Sequence, residues 1–88
     1  MARVEVKVPE TLWGRRSRWD GVVVAVHVGP GSRVRAGDPI AEVEVDKAIV
    51  VVESPYDGIV VEVTVSEGDR VGPGSLLAVM EVEAEGEA

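Results

Sequence analysis

The sequence predicts an all-β fold on three observations. Of its 88 residues 21 are valine, glycine and proline break the chain at short intervals, and its second half repeats the first. Valine is β-branched and stiff at χ1, so it suits a pleated strand better than a helix. Ten Gly and five Pro punctuate the runs, as turns between many short strands require. Residues 3–8 alternate with period two and stop at Pro9. Further runs at 21–28, 39–45, 48–53, 58–65 and 76–82 read as strands, with very short extended pieces at 33–35 and 70–71. Turn signals separate them, among them Gly29-Pro30-Gly31, Pro55-Tyr56-Asp57-Gly58 and Gly72-Pro73-Gly74. No ten-residue window carries a helical stripe.

The repeat sets the architecture. Residues 21–45 shifted by 37 fall on 58–82 with 12 of 25 pairs identical, Gly21/Gly58, Arg33/Arg70 and Val45/Val82 among them. Val4–Pro9 matches Val50–Pro55 at an offset of 46, so the difference, 46 − 37 = 9, marks an insertion within residues 10–20. Two copies of a four-strand unit, each with one apolar face, pack most simply face to face about a pseudo-two-fold axis. The expected fold is a flattened β-barrel or sandwich of two four-stranded sheets. By alternation, Val22, Val24, Val26 and Val28 should face the core, repeated by Ile59, Val61, Val63 and Val65. Ala25, His27, Glu62 and Thr64 should face water. The same symmetry places Asp46-Lys47, which joins the halves, at one end and both termini at the other. The segment 10–20 then sits beside Lys47.

Composition excludes several classes. A chain this short is one domain and buries only about 60–65% of its unfolded surface. The domain should span 1–82, with 83–88 an acidic tail or the start of a linker. There is no Cys and His27 is the only histidine, so there is no disulfide framework, thiolate nucleophile, Cys–zinc site, His-paired metal site or evident catalytic triad, and no metal site is expected. Sixteen acidic residues against nine basic ones argue against a nucleic-acid partner. No apolar run approaches the ~20 residues that span a bilayer, so no membrane role is expected. The N-terminus alternates charge with valine and does not read as a signal peptide. A cytoplasmic, monomeric domain without catalytic residues is the expectation.

Lysine is scarce: Lys7 and Lys47 stand against seven arginines. Lys7 lies mid-strand and reads as an outward-facing charge. Lys47 falls at the tip of strand–Asp46-Lys47–strand. A two-residue hairpin usually takes Asn-Gly or Asp-Gly, because a type I′ turn needs φ > 0 twice. Lys is a poor choice there on backbone grounds. Either the turn is of another type, or Lys47 is kept for its amine. Tip and edge lysines are also common solubilising residues.

Glu44-Val45-Asp46-Lys47-Ala48, followed by Glu53-Ser54-Pro55-Tyr56-Asp57-Gly58 and Glu67-Gly68-Asp69, resembles the lipoyl domain of 2-oxo acid dehydrogenase complexes. That domain is a barrel-sandwich hybrid of the biotinyl/lipoyl attachment family. The resemblance covers roughly residues 3–82. It implies that Lys47 carries lipoate through an amide, with Glu44, Asp46 and Ala48 as flanking recognition residues. Biotinyl relatives place Met on both sides of the Lys, so Asp46 and Ala48 favour lipoate over biotin. The implied role is a swinging-arm carrier. The implied partners are a lipoate ligase or lipoyl transferase and the decarboxylating dehydrogenase, acyltransferase and dihydrolipoamide dehydrogenase components. A biotin carboxyl carrier and an unmodified interaction module are the alternatives.

The segment 10–20 departs from the pattern, which is usually Gly- and acid-rich there. It holds Trp13, Arg15, Arg16, Arg18 and Trp19 on an otherwise acidic chain. Trp and Arg are enriched in interface hot spots, so a partner-recognition loop is one reading. Tryptophans capping an open end of the sandwich beside solvated arginines are the other.

Overall fold

The computed structural model describes residues 2–9 and 21–82, which form eight strands. They are β1 (Ala2–Lys7), β2 (Gly21–Val26), β3 (Arg33–Val34), β4 (Pro39–Val45), β5 (Ala48–Glu53), β6 (Gly58–Val63), β7 (Arg70–Val71) and β8 (Leu76–Val82). All eight expected extended segments are present; β2 and β6 end two residues before the valine runs do. The segments 10–20 and 83–88, expected to be a loop beside Lys47 and an acidic tail or linker start, lie outside the described residues.

The strands make two antiparallel four-stranded sheets, ordered β1-β8-β6-β3 and β5-β4-β2-β7. Exchanging the halves (β1 with β5, β2 with β6, β3 with β7, β4 with β8) turns the first order into the second. The registers obey the same exchange: Val4 opposes Met80 as Val50 opposes Val43, and Arg33 opposes Ile59 as Arg70 opposes Val22. The pseudo-two-fold is therefore real, but it differs from one sheet per half. Each sheet takes two strands from each half, so neither half closes a core without the other.

Val6, Val8, Val23, Ile40, Val43, Val60, Leu77 and Met80 are among the fully buried side chains between the sheets. One expectation is corrected here. Val22 and Val24, assigned to the core, point outward with 37% and 36% of their surface exposed, and their repeats Ile59 and Val61 likewise lie outside the core cluster, while Val23 and Val60 are buried. Register shifts between Val23 and Ala25, and between Val60 and Glu62, are the cause. A β-bulge puts one extra residue in a strand and inverts the alternation beyond it. Val26, Val28, Val63 and Val65 consequently pack against the core as expected. His27 is exposed, with Nε2 2.7 Å from Glu42 Oε2.

The turns repeat too. Gly31/Gly68 and Gly37/Gly74 all have positive φ, the left-handed region that only glycine enters without steric cost. Ser54 is buried and its hydroxyl donates to the Tyr56 carbonyl at 2.6 Å, which closes the turn before β6.

Candidate functional site

Lys47 stands at the tip of the β4–β5 hairpin, where Val45 pairs with Ala48 across two turn residues. Asp46 has φ 52° and Lys47 φ 68°. Two left-handed residues in a two-residue loop are the signature of a type I′ turn, whose twist matches that of the flanking strands. Of the two alternatives left by the sequence, the backbone takes the one that Lys suits badly. Asp enters this region with help from its short polar side chain, whereas a long side chain costs about 1–2 kcal/mol there. Among the described residues Asp46 and Lys47 are the only non-glycine residues at positive φ.

That placement is directly testable. Lys47→Gly should raise stability by about 1 kcal/mol, or roughly 4–8 °C in Tm for a domain of this size. A thermal melt that leaves Tm unchanged or lowers it would remove the strain from the account.

The side-chain setting suits an amine meant to be handled from outside. Asp46, Lys47 and Ala48 are all exposed. Among the described residues Lys47 enters none of the ion pairs, which are Arg3–Glu81, Lys7–Glu5 and His27–Glu42. Lys7 is exposed as expected, but its Nζ is held 3.2 Å from Glu5 Oε1. The hairpin tip thus leaves the Lys47 side chain exposed to solvent and outside the ion pairs of the described residues. No group of three or more potential metal ligands gathers among the described residues.

The residues named from sequence come together as a tip and its flanks. Glu44 is exposed on β4 and opposes Ile49 and Val22 on its two neighbouring strands. The positions of Trp13, Arg15, Arg16, Arg18 and Trp19 lie outside the described residues, but both ends of their segment are placed. Gly21 begins β2 against Val43 and Val45, at the hairpin end of its sheet. β1 ends at Lys7 opposite Leu76, the start of β8. The turn after β6 joins that end to the start of β2, with Gly68 N donating to Val23 O at 2.8 Å and Val23 N to Asp69 O at 2.9 Å. Pro9 and Gly21 therefore emerge at the Lys47 end, and Ala2 pairs with Val82 at the other. Sequence reading passed over the exposed apolar side chains of β5, Ile49 and Val51. The offset of 46 was the available signal, since it sets Arg3 and Glu5 against them.

Comparison with known proteins agrees with this geometry. The family model described as "Biotin-requiring enzyme", for biotin and lipoyl attachment, matches residues 4–80. The lipoyl domain of the 2-oxoglutarate dehydrogenase complex from Azotobacter vinelandii superposes with a TM-score of 0.71 at 32% identity, over 90% of this chain and 96% of that one. The urea carboxylase of Kluyveromyces lactis (TM-score 0.75, 23% identity, 92% of this chain) shares the fold, as does a single-chain, multi-domain long-chain acyl-CoA carboxylase (TM-score 0.72, 24% identity, 97% of this chain). This chain spans only 6% and 8% of those two enzymes. No curated protein sequence matches. With a β-sandwich, an exposed lysine tip and a family match over nearly its whole length, the chain belongs to the biotin/lipoyl attachment family, whose members are carrier domains that do no catalysis themselves.

Proposed function

We propose that the chain is a lipoyl carrier, modified at Lys47, that moves acyl groups and electrons between the active sites of a 2-oxo acid dehydrogenase complex. The observation that carries this reading is the tip itself: a lysine kept at positive φ, where glycine would be more stable, by a requirement for its amine. The flanks favour lipoate. Asp46 and Ala48 occupy the positions where biotinyl relatives have Met, and the lipoyl domain of the Azotobacter vinelandii complex is 32% identical to this chain.

Lipoate, amide-linked to Lys47, would supply the dithiolane that carries both acyl group and electrons; the protein supplies position. The two sheets fix the base of the arm, and the hairpin keeps it in water. Tethering replaces diffusion between active sites by a high local concentration. Forming the amide removes one positive charge, taking the formal net charge from −7 to −8. The partners proposed are a lipoate ligase or lipoyl transferase and the three enzyme components of such a complex. A partner-reading role for Trp13, Arg15, Arg16, Arg18 and Trp19 belongs to the same proposal, supported by the emergence of Pro9 and Gly21 at the Lys47 end.

Carboxylase neighbours of the same fold give the biotinyl reading its own support, and a ligase competition separates the two. Incubated in parallel with a lipoate ligase and a biotin ligase, each with its acid and ATP, the chain should gain the lipoyl adduct. Asp46→Met combined with Ala48→Met should slow lipoylation and admit biotin. Biotinylation of the unaltered chain in preference to lipoylation would overturn the assignment.

A further inference from the structure

The pseudo-two-fold supplies an internal control for the surface beside the tip. On the outer side of the first sheet, Arg3 opposes Glu81, which opposes Ile59. Their mates on the second sheet are Ile49, Glu44 and Val22, in the same register. Arg3 pairs with Glu81 at 3.4 Å, whereas Glu44 has no cation opposite. One row further on, Glu5 opposite Val79 becomes Val51 opposite Glu42, which moves the charge off the edge strand onto β4. Ile49 is 53% exposed and Val51 47%. Of the five large hydrophobic side chains exposed among the described residues, four lie on β5 and β2 of this one sheet.

β5 is also an edge strand, where exposed apolar side chains invite pairing and are ordinarily replaced by charge. The mate strand β1 follows that rule with Arg3, Glu5 and Lys7. β5 breaks it along the run that leads away from Lys47. Ile49 and Val51 thus form an exposed apolar strip along the sheet edge, and Glu44 and Glu42 of β4 line its inner side and separate it from Val22 and Val24. Exposed apolar side chains rimmed by polar ones mark contact surfaces.

We infer that the outer side of β5 and its neighbours is the docking surface for the enzyme that acylates Lys47, a partner whose matching surface is apolar and bordered by Lys or Arg. This rests on Lys47 being the acceptor, as proposed above. Reach selects this partner over those met later. A lysine side chain is four methylenes long, so an enzyme that takes the bare amine into its active site must press against residues two and four positions away. At about 3.3–3.4 Å per residue, Ile49 and Val51 lie within the first ~14 Å of that strand. Once an arm has been added, the domain's surface stands off from the sites it visits. The sign of the border follows from Glu44 and Asp46, both exposed and neither in an ion pair among the described residues.

The test is steady-state lipoylation of the full chain by a lipoate ligase with lipoate and ATP, the adduct read by intact mass. Ile49→Thr with Val51→Thr keeps β-branched side chains at exposed positions, and a urea melt checks the fold. KM for the acceptor should rise about tenfold or more, as loss of interface anchors does, with kcat nearly unchanged. Arg3→Thr with Glu5→Thr, the two-fold mates, should leave KM as it was. Glu44→Gln should raise KM and flatten its dependence on salt, since opposed charges across an interface are screened. An unchanged KM in the Ile49/Val51 variant overturns the inference. So does a wild-type dimer in sedimentation that this variant dissociates, because a second copy would then occupy the face. If the unaltered chain takes no adduct, the reading of Lys47 fails first and the docking surface goes with it. Modification of the unaltered chain and the variant at equal KM isolates the failure to the surface.

Discussion

Lys47→Arg should fold normally and take no adduct from any ligase. Arginine keeps the charge and the long side chain, so the left-handed backbone at the tip is as unfavourable as before and stability should stay within about 0.5 kcal/mol. What it lacks is a deprotonatable amine, because the guanidinium stays protonated at any working pH. The effect is a complete loss, read by intact mass against the unaltered chain. Lys7 serves as the built-in control. It is exposed on β1 and keeps its amine beside Glu5, so an adduct that persists in Lys47→Arg and maps to Lys7 would mean that the ligase does not read the hairpin tip.

The second large effect is expected far from the tip. Gly58 opens β6 on a strand paired on both sides, with Val34 on β3 across from it and β8 on the other flank. A Cβ there would run into the Glu81 carbonyl oxygen and approach Val82 Cγ1 at 3.1 Å. Backbone in the middle of a sheet has nowhere to retreat. Gly58→Ala should therefore cost about 2–3 kcal/mol, the upper part of the range for overpacked sites, and lower the urea midpoint accordingly. Its two-fold mate gives a graded comparison. A Cβ at Gly21 would meet Val43 Cγ1 at 2.6 Å, Val45 Cγ2 at 3.1 Å and the Glu44 carbonyl oxygen at 3.3 Å, so its worst clash is with a side chain and its backbone contact is longer than the one at Gly58. Gly21→Ala should be the milder of the two. Equal midpoints would contradict the claim that close backbone approach keeps glycine at 58.

The contrast between these glycines and their neighbours shows what the sequence made legible. Eight extended segments could be read because valine runs and Gly/Pro turns alternate so regularly. The bulges could not, because Val22-Val23-Val24 and Ile59-Val60-Val61 offer no polar residue to fix the phase, and a one-residue slip exchanges the faces. Gly21 and Gly58 held the missing signal: they share parity with Val23 and Val60, and a residue without a side chain suits the crowded inner phase. The repeat established that the halves are alike but not which strands pair, so the interleaving of β2 with β7 and of β6 with β3 was out of reach. At the site, the Asp46-Lys47 hairpin was evident from the motif, while its turn type depends on φ at both residues, for which composition gives two answers. The apolar run on β5 was present in the sequence, but it became informative only once β1 was known to occupy the equivalent edge.

The carrier reading turns on a single nitrogen. The most direct measurement is digestion of the ligase-treated chain followed by peptide mass mapping. One lipoyl adduct should be found, on the peptide containing Asp46-Lys47-Ala48, with Lys7 unmodified. A chain that stays unmodified under conditions in which an established acceptor domain is fully lipoylated, or one labelled at Lys7, would contradict the account at its base.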